Sequence, residues 1–217
     1  LDLSTATDLV EATSDTGAFM SFSSSLKRNA IKLSKICNDL RLLSSGPQAG
    51  LGEINLPAMQ AGSSIMPGKV NPVIPEAVSQ AAMAVMAHDH ALTMACSLGN
   101  LELNAFLPLV ADALLTSLDL LTAACGILRR LCVAGIEADE DRCRRTVHGA
   151  TASATALVAA VGYEAAQRIA AEARRSGQTV RDAAMAAGLL TAEQFDSLVA
   201  GESVMRLGSP TGHKETP

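Results

Sequence analysis

A chain of 217 residues, 48% of them apolar and 18% charged, can bury a sizeable core and is too hydrophobic to be a disordered segment. Its net charge of −5, with no large Lys/Arg cluster, argues against a nucleic-acid surface. Aromatic residues make up 2% of the chain and Trp is absent, so the apolar content is Ala, Leu, Val and Ile; that suits closely packed helices better than strands.

The first long pattern runs from about Asp15 to Ser45. Phe19, Phe22, Leu26, Ala30, Leu33, Cys37 and Leu40 recur every three or four residues and form one stripe of an amphipathic helix. A helix this long is better explained by a bundle than by an ordinary globular fold. Gly46-Pro47 ends it.

The segment from Gly46 to Pro75 differs in kind. It holds five of the sixteen glycines and five of the eight prolines, a density that no helix survives. A long irregular stretch inside a compact domain is usually functional. Helix resumes near Pro75 and runs to about Leu98, apolar nearly all round and so expected deep in a bundle. His88, Asp89 and His90 interrupt it, which makes it a core helix and not a membrane span. The two histidines fall on different helix faces and read as structural. Met83, Met86 and Met94 read as core filler.

A further helix is predicted from about Pro108 to Cys132, with Leu114, Leu118, Leu121, Cys125 and Leu128 on one face. Gly135 ends it, and Asp139 can cap a short helix through about His148. The charges from Glu137 to Arg145 read as a solvated helix with local ion pairs. Beyond, shorter helices are predicted at 150–160, 163–176, 180–187 and 192–199. Thr179 and Thr191 are the candidate N-caps, and Gly177 and Gly188 the breaks. The chain thus divides into residues 1–138, a long-helix bundle, and 139–217, a smaller helical domain with a polar tail from Gly208. The fold class is all-α.

The five cysteines, Cys37, Cys96, Cys125, Cys132 and Cys143, are odd in number and form no C-x-x-C pair. They read as free buried thiols in a reducing compartment, and no His/Cys spacing suits zinc. No signal-peptide pattern is present, so a cytoplasmic location is expected. The chain starts at Leu1 without Met, inside a lead-in to a helix, and is expected to be a piece of a longer protein.

Gln60 to Val78 carries the chemistry. Paired serines follow a glycine, then come a lysine and an asparagine, all on glycine- and proline-punctuated backbone. Glycines let backbone N–H groups converge on an anion. Lys69 supplies a point charge suited to a carboxylate, and Asn71 can donate and accept hydrogen bonds. Taken singly, Ser63 and Ser64 would be ordinary turn residues and Lys69 a solvated lysine.

Together, Gly62-Ser63-Ser64-Ile65-Met66-Pro67-Gly68-Lys69-Val70-Asn71 resembles the G-S-S-x-x-P-x-K-x-N signature of the fumarase/aspartase superfamily. The resemblance extends over nearly the whole chain. Leu33 to Pro47 is similar to the helix before that loop, and Ile54-Asn55-Leu56-Pro57 leads in as it does there. Leu101-Glu102-Leu103-Asn104 and Gly188-Leu189-Leu190-Thr191 also fit. Val73-Ile74-Pro75 before Glu76 is similar to the aspartase branch, where fumarases usually carry Thr-Gln-Cys. One departure is Val158-Ala159-Ala160 after Thr155-Ala156-Leu157, where Asn-Pro or a close variant is usual.

The resemblance implies the second part of the family's central helical domain, followed by its small C-terminal domain. It implies reversible elimination of ammonia from L-aspartate to give fumarate. Ser63 would be the general base that creates an aci-carboxylate, activated by loop N–H groups and Lys69. Ser64, Lys69, Val70 (through its backbone) and Asn71 would hold the substrate carboxylates. Gly62 and Gly68 would be hinges and N–H donors, Met66 would lie on the loop beside them, and Glu76 would partner a histidine. No metal and no cofactor are implied. The partners implied are a small dicarboxylate and three further copies in a homotetramer that shares its sites between subunits, with no nucleic acid and no membrane. Two earlier conserved regions of the family are absent here, so this chain alone is expected to be inactive. The alternatives are a class II fumarase, which uses the same loop, and a non-catalytic helical assembly module.

Overall fold

A computed structural model describes residues 2, 4–46, 48–66 and 68–207. Pro47, Pro67, His213 and the expected tail from Gly208 fall outside the described residues. The chain divides between Ala138 and Asp139 into two compact units. Both are built from helices, with a single two-residue strand pair among the described residues.

The first unit begins with a short helix, α1 (Leu9–Ser14), which the apolar pattern does not foretell. Asp8 caps it, its Oδ1 accepting from the N–H groups of Val10 at 2.9 Å and Glu11 at 3.1 Å. Three long helices follow: α2 (Gly17–Leu43), α3 (Val73–Cys96) and α4 (Leu107–Leu131). Helix α3 packs extensively on both α2 and α4, which touch each other far less. Leu26 and Ala30 of α2, Val85 and Leu92 of α3, and Leu114 and Leu121 of α4 are buried together. Each larger side chain so buried contributes about 1.5–3 kcal/mol relative to exposure.

The expected stripe of α2 needs correction at its start. Phe19 and Phe22 are exposed, and the buried line there runs through Ser23 to Leu26 and Ala30. Ser23 can be buried because its hydroxyl donates a 2.8 Å hydrogen bond to the Asp89 carboxylate. In α3 the all-round apolarity does not translate into all-round burial within this chain. Val78, Ala82, Val85 and Leu92 are covered, whereas Met83 and Met94 are exposed and are not core filler here. Met86 does pack against the core. On α4, Cys125 turns outward and Ala124 takes the buried place. Through its 3-10 turn (Val133–Gly135), α4 is long and apolar enough to cross a membrane by length and composition alone. It nevertheless carries Asp112 and Asp119 and seals a continuous face, from Val110 to Leu128, inside the unit.

The C-terminal ends of α2 and α4 and the N-terminal end of α3 meet at one end of the bundle. Cys37, Val78, Ala124, Leu128 and Cys132 form a buried cluster there, with Leu56 and Ile74 packed on it. Above this floor runs the glycine- and proline-rich connection. Gly50 passes so close to the end of α2 that a Cβ on it would stand 2.4 Å from the Ser45 carbonyl oxygen. Strand β1 (Ile54–Asn55) then pairs antiparallel with β2 (Glu137–Ala138), Ile54 opposite Ala138 and Asn55 opposite Glu137. This pair, formed by residues far apart in sequence, has no counterpart in the helical periodicity. It anchors the connection just before the serine loop.

The second unit contains α5 (Glu140–Gly149), α6 (Ser153–Val161), α7 (Tyr163–Ser176), α8 (Val180–Ala186), α9 (Ala192–Leu198) and α10 (Gly201–Val204). Local signals account for most boundaries. Asp139 caps α5 through the Arg142 N–H, Thr179 caps α8, and Thr191 forms a reciprocal capping box with Gln194 on α9. Gly177, in the left-handed region at φ 73°, ends α7. Phe195, Leu157, Val180 and Ile169 are buried in its core.

Candidate active site

The candidate site residues gather on one loop and on the first turn of α3. Pro72 caps α3, whose first residue is Val73, so Asn71 stands two residues ahead of that helix. The partial positive charge of a helix N-terminus favours anions nearby.

Ser63 makes the most informative contacts. Its Oγ accepts hydrogen bonds from the backbone N–H groups of Ile65 and Met66, each at 3.1 Å. Two donors converging on one oxygen favour a negative charge there over a neutral hydroxyl. The base of the loop is closed by Gly62, whose N–H donates to the Lys69 carbonyl at 3.1 Å. A Cβ on Gly62 would fall 2.2 Å from that carbonyl oxygen, so this position requires glycine. The Asn71 side-chain amide donates to the Gly62 carbonyl at 3.0 Å. Gly68 adopts φ 76°, as a glycine at a turn can.

Ser64, Met66, Gly68, Lys69 and Val70 are exposed, Ile65 is 87% exposed, and Asn71 and Glu76 are half-buried. The Lys69 ammonium makes no hydrogen bond or ion pair among the described residues, so the help for Ser63 visible here comes from backbone N–H groups. Glu76 has a charged neighbour that the sequence reading did not name: Arg41 Nη2, near the end of α2, lies 3.8 Å from its Oε1. The approach of α2 to Glu76 was not legible in the sequence.

Outside the loop, Asp89 is buried and bound by Ser23 and Lys27, while His88 Nδ1 lies 3.1 Å from Ser117 Oγ and His90 is exposed. No group of metal-binding side chains occurs among the described residues. The five cysteines are free; Cys37 and Cys132 are buried, but Cys125 is exposed, contrary to a uniformly buried set. Burial, followed by the nearby Cys132 thiol, pushes the Cys37 thiol up to about 11, despite the opposing Ser79 and Arg41. Burial also raises Cys132. Neither is suited to act as a nucleophile.

The Gly-Ser-Ser loop, the helix before it and the start of the helix after it lie within the match to a family of lyases. The sequence model of the family described as "Lyase" matches residues 1–87, and that described as "Fumarase C C-terminus" matches residues 154–206. The aspartate ammonia-lyase of Pseudomonas canavaninivorans is 54% identical over 200 residues, covering 92% of this chain and 42% of the relative. That of Escherichia coli K12 is 44% identical over 200 residues, with the same coverage. Among solved structures, a protein described as fumarate lyase:delta crystallin from Brucella melitensis, in native form, superposes with a TM-score of 0.83. It shares 53% identity and covers 91% of this chain and 44% of its own. The class II fumarase of Schistosoma mansoni superposes with a TM-score of 0.79 at 32% identity, covering 95% and 43%. The chain belongs to the fumarase/aspartase superfamily. It spans about two-fifths of the length of the curated relatives it matches.

Proposed function

We propose that the protein to which this chain belongs is an ammonia-lyase that converts L-aspartate reversibly into fumarate and ammonia. The observation that carries this reading is the Ser63 oxygen receiving two backbone N–H groups on an exposed loop. Such an oxygen can take a proton from the carbon next to a carboxylate, leaving an aci-carboxylate whose added charge must be met by fixed donors. Ser64, Lys69, the Val70 backbone and Asn71 bind the substrate carboxylates. Glu76 partners a histidine of the assembled site, with Arg41 balancing its charge from α2. The 54% identity to a protein named aspartate ammonia-lyase, against 32% to a class II fumarase, favours ammonia over water as the group expelled.

By itself the 217-residue chain is inactive in this reading. Ile65 is 87% exposed and Lys69 is exposed, whereas the reaction needs a water-excluded site. Exposed Phe19, Phe22, Met83, Met94 and Leu115 leave apolar surface on all three long helices, which suits a homotetramer with shared sites. The free thiols suit a cytoplasmic location.

The test is Ser63→Ala in the full-length protein, assayed for ammonia release from aspartate and for dehydration of malate. Loss of the base should slow ammonia release about 10²–10⁴-fold with the fold intact. Turnover within a few-fold of the unsubstituted protein would remove Ser63 from the role. Malate dehydration without ammonia release would instead make the protein a hydratase.

A further inference from the structure

The loop that carries Ser63 is tied shut at its base through the backbone of one residue. The Gly62 N–H bonds to the Lys69 carbonyl at 3.1 Å, and the Gly62 carbonyl receives the Asn71 side-chain amide at 3.0 Å. Within the loop, the Lys69 N–H donates to the Met66 carbonyl at 3.3 Å. Packing supplies little of the restraint, because Ser64, Ile65, Met66, Lys69 and Val70 are all exposed. The arrangement of Ser63 against its two N–H donors therefore depends on hydrogen bonds at the neck.

We propose that Asn71 is a positioning residue for Ser63: its amide clamps the neck of the loop through the Gly62 carbonyl and so keeps the Ile65 and Met66 N–H groups on the Ser63 oxygen. The proposal rests on the reading of Ser63 as the general base. Ser63 follows Gly62 directly, while its donors lie two and three residues further on. A neck that opens lets the two sides of this small turn drift apart, and misplacement by an ångström is enough to cost catalysis. One Asn71 N–H is committed to Gly62. The second N–H remains to donate to a substrate carboxylate, which only accepts. Asn71 thus joins carboxylate binding to placement of the base, a coupling that Lys69 cannot provide because its side chain takes no part in the neck.

The test uses the full-length protein with Asn71→Asp, Asn71→Ala and Asn71→Gln. Aspartate has the shape of asparagine but presents an oxygen to the Gly62 carbonyl, whereas glutamine keeps the donor. The first readout is trypsin cleavage of the Lys69–Val70 bond without substrate, followed by mass spectrometry. Opening the neck should raise this rate roughly tenfold in the Asp and Ala variants. The second is steady-state kinetics with aspartate: kcat should fall about a hundredfold, by more than KM rises, and glutamine should recover part of the loss. Should Asn71→Ala fail to fold, the isosteric Asn71→Asp carries the comparison. An unchanged cleavage rate, or a raised KM with intact kcat, would overturn the proposal and leave Asn71 a simple carboxylate contact. Faster cleavage with unchanged kcat would overturn it as well. If Ser63→Ala retained turnover, the general-base reading would fall, while the cleavage readout would still report on the neck.

Discussion

Lys27 Nζ lies 2.5 Å from Asp89 Oδ2, joining α2 to α3 inside the bundle. The other oxygen of that carboxylate accepts from Ser23 Oγ, and the next residue, His88, reaches Ser117 on α4. A polar layer thus crosses all three long helices at one level of an otherwise apolar core. Hydrophobic helices can slide past one another by a turn at modest cost, whereas a buried carboxylate is satisfied in one register only.

Removing that carboxylate should therefore be costly. Asp89→Ala leaves Ser23 buried without its acceptor and Lys27 without its counter-charge, a loss of about 3 kcal/mol in urea unfolding. Lys27→Met should also be costly, because it leaves the Asp89 carboxylate, whose side chain is 6% exposed, without its counter-charge. Equal and small effects of the two substitutions would mean that the layer does not set the register.

The thiols should separate by position. In mildly alkaline iodoacetamide, Cys37 and Cys132 should stay unmodified in the native protein and react in denaturant, as read by mass spectrometry. The same burial predicts an alkaline loss of stability. The unfolded chain releases the Cys37 proton near its ordinary value of 9.0, while the folded chain holds it to about 11. The contribution is complete below that ordinary value and is lost as pH rises through the interval. Cys37→Ala should flatten the alkaline limb of the stability profile.

In the second unit, Arg181 Nε and Nη2 grip the two oxygens of Asp196 at 2.9 and 3.1 Å, tying α8 to α9. That hydrogen-bonded guanidinium holds the Asp196 carboxyl below its usual range, with a smaller contribution from His148, 3.3 Å away. The pair's stabilisation is present above the ordinary carboxylate range and lost as pH falls through the depressed value. Because Asp196 is nearly half exposed, the effect on stability is small. Carboxyl titration by NMR is the sensitive test: Arg181→Gln should move Asp196 back towards its ordinary range. An unmoved titration would assign the shift elsewhere.

Much of the fold was legible because its signals are local. The bounds of α7 follow from Gly162 and Gly177, whose conformations a helix interior does not use. The start of α9 follows from the Thr191–Gln194 capping box. The serine loop was visible as a motif, and a convergence of N–H groups on Ser63 was expected from it. The outward turn of Phe19, Phe22 and Cys125, the β1–β2 pair and the approach of Arg41 to Glu76 were not visible. Apolar spacing states that a helix has a face, not which edge of that face a neighbour will cover.

The amino-acid sequence by itself determined where most of the helices start and stop and which ten residues carry the anion-handling loop, since caps, glycine conformations and turn hydrogen bonds act over a few positions. Only the tertiary structure decided that Ser23 is buried and Phe22 is not. The acceptor that makes this possible, Asp89, lies 66 residues further along the chain. Its nearness is a product of packing between helices, and no local preference encodes it.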